Sequence, residues 1–170
     1  KGKVNIGFSN NYYYYDRPLM QHIYRENGKF VQSYANHRRG QSMNTGINFR
    51  IGPFWDMLTL SGDLSFNQRW VHGINYTHTN RNIGGELTAI FAYKNFTSLL
   101  YYQHQGDSFW GETLSEGEKL HMVSVSYRIK NVNLGLRMFN PFKKDHSQMT
   151  QNYNQYAGYT DEYHIDDVAR

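Results

Sequence analysis

Histidine is the residue type in this sequence that can take part in the most kinds of chemistry, because its imidazole binds metals and transfers protons near neutral pH. The 170-residue chain has eight histidines and no cysteine. His72 and His78 flank one polar segment, and His104 and His121 flank another. None belongs to an HExxH motif or stands in a close sequence cluster with carboxylates, so the spacing predicts solvated histidines, no metal site and no cofactor.

A short polar segment contains residue types used by hydrolases: Gly106-Asp107-Ser108, with His104 two residues before it. A nucleophilic serine requires a constrained turn, a base within hydrogen-bond reach and an acid that orients the base. Proximity within a polar loop provides none of these, and the sequence has no GxSxG motif. We therefore expect no catalytic residue and no enzymatic activity.

Charged residues give two further negative expectations. Asp161, Glu162, Asp166 and Asp167 are close enough in sequence to suggest calcium, but their spacing does not fit an EF-hand loop. The net charge is +4, yet 18 basic residues are scattered among 14 acidic ones without forming a basic stripe. A nucleic-acid partner is therefore not expected.

Aromatic residues are the strongest candidates for ligand contact. Tyr12–Tyr15 is a run of four tyrosines, and such rings, together with Phe109 and Trp110, can stack on sugar rings or other planar ligands. Tyr76 lies in a polar segment between two strand patterns. We predict Tyr76, Phe109 and Trp110 as ligand contacts. The alternative is that the rings belong to a belt at a membrane interface.

The elements that position these residues have a period of two, which is typical of β-strands. In Met57–Trp70, for example, Leu58, Leu60, Leu64 and Phe66 share one face, and Asp63 and Asn67 share the other. The same alternation occurs in four other segments: Val4–Phe8, Ile47–Ile51, Ile83–Tyr93 and Val123–Ile129. No segment has a helical stripe. The pattern indicates about nine or ten strands, and Gly84-Gly85 within one of them predicts a bulge or a tight bend.

The strand patterns are long, and the segments between them alternate in length. Asp56–Val71 is much longer than the ~5–6 residues of an ordinary strand. The predicted short connections are Asn27-Gly28, Gly52–Trp55, Lys94-Asn95 and Lys130-Asn131, and the predicted loops are His37–Gln41, His72–Arg81, His104–Glu118 and Asn140–Asn152. Membrane barrels have short periplasmic turns and long outer loops. We therefore predict an all-β fold, an antiparallel transmembrane β-barrel of which this chain is part.

Composition fits that prediction. Hydrophobic residues are 39% and aromatic residues 16% of the chain, with a mean hydropathy of −0.76. Only the lipid-facing half of each strand has to be apolar in a barrel, whereas the lumen and loops are polar. Rings at strand ends favour the headgroup level. The rings that we assign to such girdles are Trp55, Trp70, Tyr76, Tyr93, Phe96, Trp110, Phe139 and Phe142.

Several short motifs follow one another in the order Tyr93–Phe96, Gly111–Thr113 with Glu118, Tyr127–Asn131 and Phe139–Phe142. Earlier in the chain, Tyr34–Asn36 ends one strand and Gly46 lies in the next. In these motifs the chain resembles the C-terminal part of the outer-membrane β-barrel of TonB-dependent receptors from Gram-negative bacteria.

The resemblance implies a barrel of about 22 strands closed by an N-terminal plug domain. Residues 1–170 would be part of that single barrel domain, without the plug, in the cell outer membrane. The implied function is active uptake of a ligand. The implied partners are outer-membrane lipid, the rest of the barrel and its plug, TonB, a surface lipoprotein and the transported ligand.

Two alternatives remain open at the level of sequence. About 170 residues is also the size of a complete eight-stranded barrel that serves as an anchor or adhesin. A soluble β-protein, such as a lipocalin-like binder or a carbohydrate-binding sandwich, has the same strand periodicity. A soluble protein would turn its apolar faces inward, and this difference separates it from both membrane alternatives.

Overall fold

A computed structural model describes the backbone of residues 3–142, 145–152 and 160–166, and the side chains of residues 3–142 and 149–151. Within these ranges every regular element is a β-strand, and all strand pairs are antiparallel. No helix in this part of the chain is long and apolar enough to cross a membrane. The all-β prediction is therefore confirmed, whereas a closed barrel is not seen among the described strands.

The described residues form three sheets. The largest, called the wall below, has seven strands in the order β1-β4-β5-β6-β7-β10-β11, the second has the order β13-β12-β9-β8, and β2 pairs with β3. The strands are β1 Lys3–Asp16, β2 Leu19–Glu26, β3 Lys29–Asn36, β4 Arg39–Phe54, β5 Leu58–His72, β6 Thr77–Tyr93, β7 Phe96–His104, β8 Ser108–Trp110, β9 Thr113–Ser115, β10 Lys119–Ile129, β11 Val132–Phe139, β12 Asp145–Asn152 and β13 Thr160–Asp166.

The alternating side chains place opposite chemistry on the two faces of the wall, as the period of two predicts. The cross-strand partners of Leu64 are Ile47 and Gly85, whereas those of Asp63 are Asn48 and Glu86. Repeated over successive strands, this register gives one apolar face and one polar face. Leu64 is 57% exposed on the apolar face. The prediction that the apolar and the polar side chains of β5 lie on opposite faces is confirmed.

Two-residue turns join neighbouring strands at one end of the wall. Lys94-Asn95 connects β6 to β7, and Lys130-Asn131 connects β10 to β11, both as predicted. Lys94 and Lys130 have φ of 51° and 53°, the left-handed values that primed hairpin turns require. Gly52–Trp55, predicted as short, coincides with the end of β4 and a register shift between Ile51 and Phe54.

The loop predicted at His37–Gln41 is too long, because only residues 37 and 38 lie outside strands. β1 and β4 remain paired as far as Asp16 and Arg39, and β2 and β3 resume pairing at Leu19 and Asn36. The amide of His37 donates to the carbonyl of Pro18 across the gap. The β2–β3 hairpin, closed by the predicted Asn27-Gly28 turn, is thus an extension of the wall.

The predicted loop His72–Arg81 is also much shorter in the structure. The β5–β6 ladder continues without interruption to the pair His72 and Thr77, leaving residues 73–76 as the connection. A polar sequence can continue a ladder because the backbone makes the cross-strand hydrogen bonds. The side chains there do not need an apolar face if they lie beyond the apolar part of the wall.

Two further loop predictions need the same correction. His104–Glu118 contains the short strands β8 and β9, and Asn140–Asn152 contains β12, which pairs with β9. These strands form the second sheet, so both segments are folded structure. The acidic residues proposed above for calcium lie outside the described side chains.

No bulge is found at Gly84-Gly85, because the β5–β6 register continues through both residues without a shift. The glycines instead permit close approach of neighbouring backbones. A Cβ on Gly85 would collide with the carbonyl oxygen of Asp63. The prediction of a bulge is therefore wrong, and close packing between strands explains the glycine pair.

The buried hydrophobic residues lie at one end of the molecule. Four segments meet at the end of the wall opposite the two-residue turns, and together they are called the cap: the β2–β3 hairpin, residues 37–38 after it, residues 73–76 and the β8–β9 hairpin. Val71, Tyr76 and Phe109 form its buried cluster, with Leu114 packed against it. The other buried hydrophobic residues among those described, Met20 and Ile23, are on β2. The core thus lies in the cap and at the adjoining end of the wall.

Candidate functional site

Asparagines form a row across four strands on the polar face of the wall. The register aligns Asn11 with Asn44, Asn44 with Asn67, and Asn67 with Asn82. The Asn44 amide donates to the side-chain oxygen of Asn67, whose own amide donates to Asn82 Oδ1 at 3.3 Å. Since each carboxamide has two donor protons and an acceptor oxygen, this row offers both kinds of hydrogen bond to a ligand.

The cap covers one end of this row and encloses a cleft of about 310 Å³. The Asn82 amide donates to the Asp107 carbonyl at 2.6 Å, so the segment before β8 is held above the row. Arg69 donates a hydrogen bond to the Phe109 carbonyl. The cleft therefore has a floor of strand side chains and a roof formed by residues 106–109.

Aromatic rings complete the cleft. Tyr13 and Tyr15, two positions apart on β1, stack with ring centroids 6.3 Å apart and planes inclined by 15°. Both rings and Phe109 line the cleft together with the asparagine row. Amide groups opposite aromatic faces suit a neutral ligand that has hydroxyl or amide groups on an apolar frame.

Two carboxylates lie on the same face, four residues along the strands from Asn67 and Asn82. Asp63 and Glu86 are direct cross-strand partners, and the Tyr101 hydroxyl donates to Glu86 Oε2 at 2.8 Å. Carboxylates directly opposite one another repel when both are charged. This pair gives the polar face a local attraction for cations.

The three predicted ligand contacts occupy two different surroundings. Tyr76 is 8% exposed and Phe109 is 2% exposed, with ring centroids 6.3 Å apart in an edge-to-face arrangement. Trp110 is 57% exposed and lines a second cleft of about 160 Å³ beside Phe109. The structure therefore brings Tyr76 and Phe109 together inside the cap and directs Trp110 to its surface. Their role as ligand contacts stays a prediction.

Tyr76 also departs from the predicted aromatic girdle, because its ring is in the buried cluster of the cap. Trp55, Tyr93 and Phe142 are exposed, as an interfacial position requires. The difference lies in the short 73–76 connection, which turns Tyr76 inward. Gly73 lies against the Tyr76 ring, and a Cβ at Gly73 would collide with it.

The cap contains a buried group of ionisable residues consisting of His22, His37, Glu112 and Tyr76. Glu112 is fully buried and accepts hydrogen bonds from His22 Nδ1 at 2.6 Å and from the Ile23 amide at 2.9 Å. The carboxylate therefore links the β8–β9 turn to β2. This link is long in sequence, since 90 residues separate His22 from Glu112.

His37 is also fully buried, and each of its ring nitrogens has a polar neighbour. Its Nε2 lies 3.2 Å from the Gln21 carbonyl, and its Nδ1 lies 3.3 Å from the Tyr76 hydroxyl. Burial lowers the pKa of His37, an effect that the nearby Glu112 carboxylate opposes. Burial, with a smaller contribution from Glu112, raises the pKa of Tyr76 far above its usual range. Tyr76 is therefore a hydroxyl at neutral pH, and it donates to the Gly111 carbonyl.

Sequence reasoning missed His22, His37 and Glu112 as a group. No local motif joins them, because they come from β2, the β3–β4 connection and the β8–β9 turn. The only signal in the sequence was negative: these histidines fit no known close-spaced ligand pattern. Their proximity depends on two hairpins folding onto the same end of the wall.

No family model matches the chain, and no curated protein or solved structure matches it. The function is therefore argued from the two faces of the wall, the cleft and the cap.

Proposed function

We propose that this chain is a segment of a TonB-dependent outer-membrane receptor, and that it forms part of the barrel wall and of the extracellular loops used in active ligand uptake. The observation that carries the proposal is the apolar face of the wall, which is exposed across all seven strands. Representative side chains on it are Ile6, Phe8, Ile47, Leu64, Ile83, Leu87, Leu100, Tyr127, Leu134 and Leu136. In a bilayer, this face is covered by lipid.

The height of the apolar face supports a membrane position. Its apolar side chains run from Leu58 to Phe66 on β5 and from Ile83 to Phe91 on β6, about nine residues on each strand, against the ~9–11 that cross a bilayer when tilted. The polar ends of both strands continue past this band to His72 and Thr77. That arrangement favours a wall that projects beyond the membrane on the side of the cap.

Accessible surface argues against the soluble alternatives. The chain exposes 12203 Å², whereas a compact monomer of 20.1 kDa exposes about 8,700 Å² by the usual scaling. A sandwich or lipocalin-like barrel covers its apolar faces with its own strands. The wall has no such cover among the described residues.

The two edges of the wall favour a segment of a larger barrel over a complete small one. β1 and β11 are the outer strands, and among the described strands each has one neighbour. Backbone groups at an open edge cannot remain unpaired in hydrocarbon. Further strands would pair with them in the receptor.

The cleft on the polar face supports a role in uptake. Asn44, Asn67 and Asn82 face the inside of the proposed barrel, and Tyr13 and Phe109 border the same space near the cap. A ligand entering between the loops would meet this cleft first. The two-residue turns Lys94-Asn95 and Lys130-Asn131 would then be periplasmic, and His104–Glu118 extracellular.

Single-cysteine labelling tests the orientation, since these 170 residues contain no native cysteine. In vesicles that contain the full-length protein, whose further strands would pair with β1 and β11, a membrane-impermeant maleimide is expected to label Asn67→Cys and to spare Leu64→Cys and Phe66→Cys. Denaturation in detergent is expected to make all three reactive, which serves as the control. Equal labelling of the three variants in the bilayer would contradict the proposed faces.

The flanking gene sequence separates a receptor segment from a complete barrel. A plug-like domain encoded upstream supports the receptor. An open reading frame that begins near Lys1 and ends near Arg170 contradicts it and leaves the small anchor or adhesin barrel.

A further inference from the structure

The buried group in the cap has the composition of a metal site. His22, His37 and Glu112 each direct one possible ligand atom into the same space, and these atoms lie within 4.8 Å of one another. Two imidazoles and one carboxylate form a common ligand set for zinc sites that keep a fourth position open. The set is distinct from the polar cleft, since none of its members lines that cleft.

The Tyr76 hydroxyl lies between two acceptors in this group, the Gly111 carbonyl and His37 Nδ1. The Tyr76 hydroxyl has one proton, so it cannot donate to both the Gly111 carbonyl and His37. A lone pair on a buried imidazole therefore remains available to a cation.

Charge favours a cation as well. The Glu112 carboxylate is fully buried, and a cation held between it and the two imidazoles would lie close to its charge. The competing explanation is that the His22–Glu112 hydrogen bond is purely structural, and the two explanations differ in whether metal binds.

Metal binding requires small changes in the distances between the ligand atoms. Ligand atoms around a tetrahedral ion with bonds of ~2.1 Å are about 3.4 Å apart. His22 Nδ1 and Glu112 Oε1, now 2.6 Å apart, would separate, and the widest pair, at most 4.8 Å apart, would close. His22 lies at the edge of the cap with a partly exposed side chain, so its ring has room to rotate.

We propose that His22, His37 and Glu112 bind one divalent transition-metal ion of the zinc type, and that this ion fastens the β2–β3 hairpin to the β8–β9 hairpin. Nitrogen and carboxylate ligands suit Zn²⁺, Ni²⁺ or Cu²⁺ in preference to Mg²⁺ or Ca²⁺. A water molecule or the Tyr76 hydroxyl would occupy the fourth position. The site is independent of the membrane proposal, because all of its ligands belong to the cap.

Metal titration of the folded full chain tests the site. The protein is prepared without a polyhistidine tag, stripped with a chelator, and titrated with Zn²⁺ by calorimetry and with Co²⁺ by visible absorption. The expected result is one ion per chain and a Co²⁺ spectrum of low coordination number. Glu112→Gln and His22→Gln are expected to weaken Zn²⁺ binding by more than the ~10–100-fold typical of indirect effects.

His72→Gln is the matched control, since His72 lies at the same end of the wall but outside the ligand set. Its Zn²⁺ affinity is expected to equal that of the unaltered chain. Circular dichroism establishes that each variant keeps its strand content, and Glu112→Gln retains an acceptor for the Ile23 amide. Absence of binding by the folded unaltered chain, or equal binding by all three variants, would overturn the proposal. A purely structural His22–Glu112 hydrogen bond predicts the first of these results.

Discussion

Gly111 allows the cap to close, because two backbones meet at this residue. Its φ of +58° is in the left-handed region, and a Cβ there would lie 2.8 Å from the Gln21 carbonyl oxygen. The next residue is Glu112, and Gln21 precedes His22. The close contact at Gly111 therefore helps to set the position of the buried carboxylate relative to β2.

Gly111→Ala is expected to destabilise the cap by more than Gly28→Ala does. Both glycines have positive φ, so both substitutions incur the ~1–2 kcal/mol cost of a left-handed alanine. Only Gly111 adds a collision with backbone, since nothing lies within 4 Å of a Cβ at Gly28. The difference between the two variants in free energy of unfolding, measured by denaturant titration, isolates the contact. Equal losses would show that the Gly111–Gln21 approach has no energetic role.

The candidate residues differ in how far the sequence could identify them. Tyr76 and Phe109 attract notice because rings in polar segments are unusual, and the structure places both in the buried cluster. Glu112 lies within a recognised motif, but nothing near it in sequence indicates a histidine partner. Its contacts are with residues about 90 positions away, and such contacts depend on how the hairpins pack.

The sequence predicts strands where one face of the sheet is apolar, because alternate side chains then have to be apolar. Leu58–Phe66 and Ile83–Phe91 alternate because one face is apolar, and the structure pairs them in register. The prediction of a loop over His72–Arg81 is wrong because the ends of β5 and β6 in this region lie beyond the apolar band. Backbone hydrogen bonds maintain the ladder there, and they leave no periodic signal in the sequence.

Adjacent positions on β6 test whether the faces of the wall meet different solvents. Leu87→Arg is expected to destabilise the chain in a bilayer by about 2–4 kcal/mol, the cost of arginine on a lipid-facing strand near the midplane. Thr88→Arg, one residue further on, places the same charge on the polar face opposite Ser61 and Tyr101. Its cost is expected to stay within about 1 kcal/mol.

Folding titrations of the full-length protein into lipid vesicles measure both variants against the unaltered protein. The comparison is internal, since the two positions share a strand and a depth. A Thr88→Arg cost as large as that of Leu87→Arg would contradict the assignment of the apolar face to lipid.

At the scale of the whole molecule, the wall and the cap rely on different sources of stability. The cap has a buried cluster and a polar network, with Val71 and Phe109 at its centre and Glu112 beside them. The wall has a continuous backbone ladder, and among the described residues nothing covers its apolar face. The cap therefore buries apolar side chains of its own, whereas the apolar face of the wall stays exposed.

The last prediction concerns the state of the chain in water. Refolded into detergent micelles or vesicles, the chain is expected to show strand-rich circular dichroism. When the detergent is removed without lipid, it is expected to self-associate, because an exposed apolar face of this size and open edges on β1 and β11 both promote contact between chains. Sedimentation velocity with and without detergent measures the change. A folded, monodisperse monomer in plain buffer would contradict the membrane proposal and favour the soluble β-protein.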